Sequence, residues 1–200
     1  MYNPYDFYFK KAQKQWFKAR SVFKLEEIDK KYKIFDKSSK YILDIWCAPW
    51  SWLQYVYSKL NDFKIKDYKL IWFDIKQVNL NLENVFTYVQ DITDVHAVDQ
   101  TISSHNIEKF DIIISDMAPN TIGFKDVDAM KSIGLLEKTV WIYEKYLKSD
   151  GKFVIKIFMW PWFDEFVKNM KRIFGDTNIK VFKPAACRKE SKETYIVKLK

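Results

Sequence analysis

Residues 41 to 60 constrain the fold most. Tyr41 to Ile45 is an apolar run closing on Asp44 and Ile45, and it reads as a buried parallel strand. Pro49 and Ser51 then open an amphipathic stretch, Leu53 to Leu60, with apolar residues at helical spacing. Strand, tight loop and helix make the first crossover of an open α/β sheet, with a nucleotide-like cofactor against the loop. The two loop positions where such a turn wants glycine, 46 and 50, instead carry Trp46 and Trp50.

The rest of the chain extends that unit. Ala19 to Lys31 reads as an amphipathic helix through Val22, Leu25 and Ile28. Further strands fall at Lys69 to Ile75, Val85 to Val89, Phe110 to Ser115 and Lys152 to Phe158, the last after a turn at Asp150-Gly151. Helical patterns occupy Val95 to His105, Asp126 to Leu147 and Phe163 to Phe174. Two closing strands, Asn178 to Phe182 and Glu193 to Leu199, flank a basic loop at 183 to 192. They lie too close for a helical crossover and should form an antiparallel hairpin at one edge. Alternating strands and helices give a mostly parallel, seven-stranded α/β sheet covered on both faces. No repeat or linker divides the chain: residues 1–18 read as a basic, aromatic arm without clear period, and 19–200 as one domain.

Charge points to the partner. The net charge of +8 suits a polyanion, most simply nucleic acid. Lys10, Lys11, Lys14, Lys18 and Arg20 crowd one end among aromatic residues, and Lys183, Arg188, Lys189 and Lys192 crowd the other. Each run alone could be a solvated face; together they favour RNA or DNA contact. No run of 18 apolar residues offers a membrane span, and the first residues lack the order of a signal peptide. Cys47 and Cys187 lie far apart in no metal-ligand spacing, and only His96 and His105 are present. The expectation is a cytoplasmic, monomeric protein with no metal.

Three acids follow successive strands: Asp74, Asp91 and Asp116. They stand at the carboxyl edge where open α/β sheets bind ligands, Asp74 placed for ribose hydroxyls and Asp91 for an adenine amino group. The alternative is that each merely caps the next turn or helix. Lys156 sits inside Phe153 to Phe158, whose apolar neighbours imply burial. A buried ammonium must be paired or lose its proton, and either suits a general base; the alternative is a lysine snorkelling from an edge strand.

Five segments then carry a resemblance. Phe23-Lys24-Leu25, Cys47-Ala48-Pro49 with Ser51-Trp52, Ser115 to Asn120, Val154 to Phe158 and Ser191 to Tyr195 occur in order from about residue 15 onward. The chain resembles the FtsJ/RlmE family of ribosomal RNA 2′-O-methyltransferases, and Ser-Asp-Met-Ala-Pro-Asn is its most specific motif. That resemblance implies a Rossmann-like, S-adenosyl-L-methionine-dependent methyltransferase fold and methylation of a ribose, a uridine, in large-subunit ribosomal RNA. It implies a tetrad of Lys24, Asp116, Lys156 and Glu193, with Lys156 taking the 2′-hydroxyl proton. Cofactor contacts fall on Trp50, Trp52, Asp74, Asp91 and Asp116.

The departures from the family are nearly all of one kind. Tryptophan stands at 16, 46, 50, 72, 160 and 162, where the family has or is expected to have glycine; Trp52 and Trp141 look natural. The chain has 4 Gly against 8 Trp. Taken literally, Trp46 and Trp50 block the pocket, leaving a non-catalytic RNA-binding protein. Alternatively, the six codons are UGA, read as glycine in some bacterial lineages. Restoring them moves the glycine share toward the usual figure of about 7%. An NAD-dependent oxidoreductase is a third reading, and the lysine on the fifth strand argues against it.

Overall fold

The computed structural model describes residues 7–45, 50–77, 80–117, 125–159 and 161–200. Seven strands form one sheet: β1 (Tyr41–Ile45), β2 (Lys69–Asp74), β3 (Val85–Val89), β4 (Phe110–Ser115), β5 (Leu147–Phe158), β6 (Ile179–Phe182) and β7 (Glu193–Lys198). Their order is β3-β2-β1-β4-β5-β7-β6. The first five are mutually parallel, and β7 runs antiparallel to both β5 and β6. The chain changes direction across the sheet between β1 and β4. Ligands of such sheets bind outside the carboxyl ends of the strands at that switch.

Alternation of side chains along each strand produces two apolar layers. Leu43, Ile71, Phe73, Ile113, Phe153 and Ile155 face one side. There they meet α4 (Val95–Ser104), α5 (Lys125–Glu137), α6 (Val140–Tyr146) and α7 (Phe163–Phe174). Ile42, Leu70, Ile112, Ile114, Val154, Tyr195 and Val197 face the other. Here they meet α1 (Phe7–Lys14), α2 (Val22–Tyr32) and α3 (Ser51–Asp62). Strands buried on both faces explain the near-continuous apolar runs of the sequence.

The structure corrects three expectations. The aperiodic arm contains a helix, α1, whose Ala12 is buried and whose Tyr8 ring lies 5.6 Å from that of Phe23; residues 1–6 lie outside those described. The single helix expected over 126–147 is two, because the buried Thr139 turns its hydroxyl back onto the Leu136 carbonyl at 2.8 Å. Asp150-Gly151 does not precede β5 but lies within it. Phe110 pairs with Leu147 and Ile112 with Lys152, so the residues between loop out as a bulge. The expected antiparallel hairpin does close one edge of the sheet, with β7 inside, against β5, and β6 at the rim.

Candidate active site

Strand register brings the tetrad residues expected from the sequence together. Ser115 on β4 pairs with Ile155 on β5, so Asp116, one residue on, arrives beside Lys156. Lys156 pairs with Tyr195 on β7, and Glu193 projects from the same face of β7 two residues earlier. Lys24 comes down from α2 onto this face. The four tetrad residues named from the sequence are therefore brought together, with Tyr195 at their centre. Lys24 Nζ donates to Glu193 Oε1 at 2.5 Å. The Tyr195 hydroxyl reaches the same Glu193 oxygen and lies 3.1 Å from Asp116 Oδ1. Lys156 Nζ is 3.0 Å from Asp116 Oδ1 and also donates to the Asp116 carbonyl.

The result is a continuous line, Lys24–Glu193–Tyr195–Asp116–Lys156, in which each amine has its own carboxylate. Burial works against the charge on Lys24, but Asp116 and Glu193 outweigh it and raise its pKa. Tyr195 is buried between two carboxylates, which pushes its hydroxyl well above the ordinary phenol and keeps it neutral. It holds one proton and can donate to only one acid at a time. Trp52 supports the arrangement from below: its indole donates to the Ser21 carbonyl at 3.0 Å and its ring centre lies 5.9 Å from that of Tyr195.

The residues expected to meet a cofactor are more dispersed. Asp74 closes β2, is 4% exposed, and its Oδ1 accepts from the Lys76 amide at 2.8 Å. It lines a cavity of about 240 Å³ with Trp72, Lys76, Gln77, Leu80, Thr87, Tyr88 and Val89. The cavity wall is mostly polar, and the Asp74 carboxylate offers an acceptor of the kind ribose hydroxyls need. Asp91 does not line that cavity. Its Oδ1 accepts from the Thr93 amide and hydroxyl, both at 2.8 Å, which lowers its pKa. Trp50 caps the start of α3 in a left-handed conformation, φ 57°, with the Lys18 ammonium 5.0 Å above its ring. Residues 46–49, and with them Trp46 and Cys47, lie outside those described.

The comparisons with known proteins now bear on this geometry. The model of the FtsJ-like methyltransferase family matches residues 17–200. The chain belongs to that family. Among its relatives is a Desulfatibacillum aliphaticivorans protein named Ribosomal RNA large subunit methyltransferase E. It is 41% identical over 96% of this chain and 88% of its own length. A protein of the same name from Bdellovibrio bacteriovorus is 38% identical over 99% of this chain and 97% of its own. Among solved structures, a putative ribosomal RNA methyltransferase from Plasmodium falciparum superposes with a TM-score of 0.76. It is 29% identical and covers 92% of this chain and 97% of its own. Human methyltransferase-like protein 13, at 11% identity, shares the fold with a TM-score of 0.60, covering 88% of this chain and 80% of its own.

Two residues of this FtsJ-like methyltransferase were not assigned roles from its sequence. Asp44 is a fully buried carboxylate near the carboxyl end of β1, paired in register with Trp72 and Ile114. Its signal was available, since an acid inside an apolar strand run is as anomalous as Lys156. Tyr195 lies at the end of the Ser191 to Tyr195 motif, but a tyrosine among strand residues is ordinary and gave no hint of a role of its own.

Three of the six anomalous tryptophans share a backbone signature. Trp16, Trp50 and Trp162 have positive φ, at 61°, 57° and 75°, a region bulky residues avoid and glycine adopts freely. Trp72, buried in β2, does not share that backbone feature, and its indole N–H, unpartnered among the described residues, does not set it apart, since Trp141 has one too. Trp46 and Trp160 lie outside the described residues. Trp52 and Trp141, the pair read as natural, do not have positive φ.

Proposed function

We propose that this FtsJ-like methyltransferase moves the methyl group of S-adenosylmethionine to a ribose 2′-oxygen, on a uridine of large-subunit ribosomal RNA. The line Lys24–Glu193–Tyr195–Asp116–Lys156 carries the reading: two amines, each with its own acid, on the sheet whose β2–β3 side holds the Asp74 cavity. The names of the relatives supply the substrate class, and the net charge of +8 fits a polyanion.

Asp74 would hold the ribose of the cofactor and the β2–β3 cavity its base, with Trp50, Trp52, Asp91 and Asp116 toward its remaining groups. When bound, the cofactor supplies an electrophilic methyl on sulfur. A ribose hydroxyl is a poor nucleophile until its proton has somewhere to go. Lys24, with its pKa raised, keeps its charge; accepting the proton falls to Lys156, which does so in the neutral amine form, after losing its own proton to solvent. Asp116 holds the Lys156 amine in line, and Glu193 with Tyr195 fixes both from the β7 side. Holding acceptor and donor in one geometry contributes much of the rate, and a positioned base adds about 10²–10⁴-fold.

Incubation with methyl-labelled S-adenosylmethionine and large ribosomal subunits tests this. Nuclease digestion should release the label as a 2′-O-methylated nucleotide; label on a base or on protein overturns the assignment. The strained Trp50 favours a second reading, an RNA-binding protein whose cofactor pocket Trp46 and Trp50 block. Calorimetric titration with S-adenosylmethionine separates the two, since the blocked form takes up no cofactor.

A further inference from the structure

The two basic runs, far apart in sequence, meet at one carboxylate. Glu27 on α2 accepts from the Ala185 amide through Oε2 at 2.6 Å. Its Oε1 accepts from the Ala186 amide at 3.1 Å and from the Tyr8 hydroxyl of α1 at 3.2 Å. The Arg20 guanidinium completes the clasp, donating to the Ala186 carbonyl at 2.6 Å and lying 5.6 Å from the Tyr8 ring centre. Helix α1, helix α2 and the loop at 183–192 are thus tied together at a single side chain.

Beside this clasp is a cleft of about 450 Å³ lined by Arg20, Lys24, Arg188, Glu190, Ser191 and Glu193. It opens directly on the catalytic line, because Lys24 and Glu193 belong to both. Of its two acids, Glu193 is already engaged by Lys24, which leaves Glu190 against two guanidiniums. Those guanidiniums stand close enough that burial, and then the charge of Arg188, lower the pKa of Arg20. Two like charges held in one cleft gain most from an anion placed between them, and a planar guanidinium pair matches phosphate oxygens.

We propose that the Arg20–Arg188 cleft binds the RNA backbone phosphate next to the reacting ribose, and that Glu27 holds its walls in place. The proposal rests on the methyltransferase reading for what that ribose is. Phosphate contacts fix the register of a nucleic acid without reading sequence. One contact so near Lys156 sets which 2′-hydroxyl can arrive there. Glu27 touches neither RNA nor cofactor; it acts as a positioning residue through the 185–186 backbone.

Retention of large-subunit ribosomal RNA on filters, titrated over a range of KCl concentrations, tests the subsite without requiring turnover. Arg188→Gln should weaken binding about tenfold and reduce the log–log salt slope by about one. Arg188→Lys should restore the slope, since the charge returns, but not the full affinity, since the fork does not. Glu27→Gln should shift affinity in the same direction as Arg188→Gln, and combining the two should add little. An unchanged slope with affinity within twofold in Arg188→Gln overturns the subsite, whether or not Glu27→Gln folds. Full additivity of the two variants removes Glu27 from it. If the parent fails to hold RNA at all, the subsite and the proposed function fall together. If binding behaves as stated but no methyl is transferred, the subsite stands and the reaction assignment falls.

Discussion

Lys152, Lys156 and Lys198 are all buried in strands, at 8%, 8% and 3% exposure. What separates them is the company each keeps. Lys152 donates to the Lys33 and Ile34 carbonyls at 2.6 and 3.1 Å and pairs with Asp36, at the opposite rim from the catalytic line. Lys198 donates to the Gly151 and Ser149 carbonyls. Both are fasteners for backbone that would otherwise be unsatisfied. Lys156→Ala should therefore reduce kcat by about 10²–10⁴-fold while cofactor titration stays nearly unchanged. Lys152→Ala should cost about 1–3 kcal/mol in urea unfolding and leave kcat of the folded protein alone. Parental turnover in Lys156→Ala would remove the base assignment. Trp16 offers a separate test, being 87% exposed at φ 61°. A left-handed residue costs about 1–2 kcal/mol, so Trp16→Gly should stabilise, against the loss glycine usually brings. Destabilisation would mean the indole belongs there. The gene should correspondingly carry UGA at codons 16, 46, 50, 72, 160 and 162 and UGG at 52 and 141.

At the scale of elements, buried strands were the legible part, because they read as unbroken apolar runs. The acids at their ends and the lysine inside β5 stood out for the same reason: charge in an apolar run is conspicuous. What the pattern could not convey was tertiary pairing. The bulge in β5 depends on register with β4, which no local periodicity reports. The break at Thr139 comes from one hydroxyl returning to a carbonyl, in a stretch whose apolar spacing continues on both sides. Asp91 shows the limit for site residues: its place after β3 was legible, but not that its Oδ1 accepts from the Thr93 amide and hydroxyl. The bulge itself makes a prediction. A Cβ at Gly151 would come within 2.8 Å of Leu147 Cδ1 and 2.9 Å of the Lys148 carbonyl. Gly151→Ala should lower stability by about 1–3 kcal/mol, read as an earlier urea midpoint. It should leave cofactor affinity intact, because the bulge lies at the far rim. Equal midpoints would show that the loop yields without cost.

Across the whole molecule, the rim away from the catalytic line is held by charge as well as by packing. Burial alone would raise the pKa of Asp36, but hydrogen bonds from Ser38 and the Lys152 ammonium bring it down to about 2. A carboxyl depressed below its unfolded value of about 3.9 adds stability above that pH. The contribution is lost as pH falls toward the folded value. Urea midpoints should therefore decline between about pH 4 and pH 2, and Asp36→Asn should flatten that part of the curve; parallel curves for the two proteins would rule the clasp out.

The position of β7 has a consequence in time. Among the described residues, β6 has β7 as its only strand partner, and β7 wedges between two strands that precede it in the chain. Until it docks, the growing sheet ends at an open β5 edge, the kind of surface on which neighbouring chains pair. Glu193 and Tyr195 ride on that strand, so the line joining the two lysines closes only when the wedge is driven home. A chain halted before residue 193 would carry the five parallel strands with β5 open along one flank, and neither Glu193 nor Tyr195 to join the two lysines.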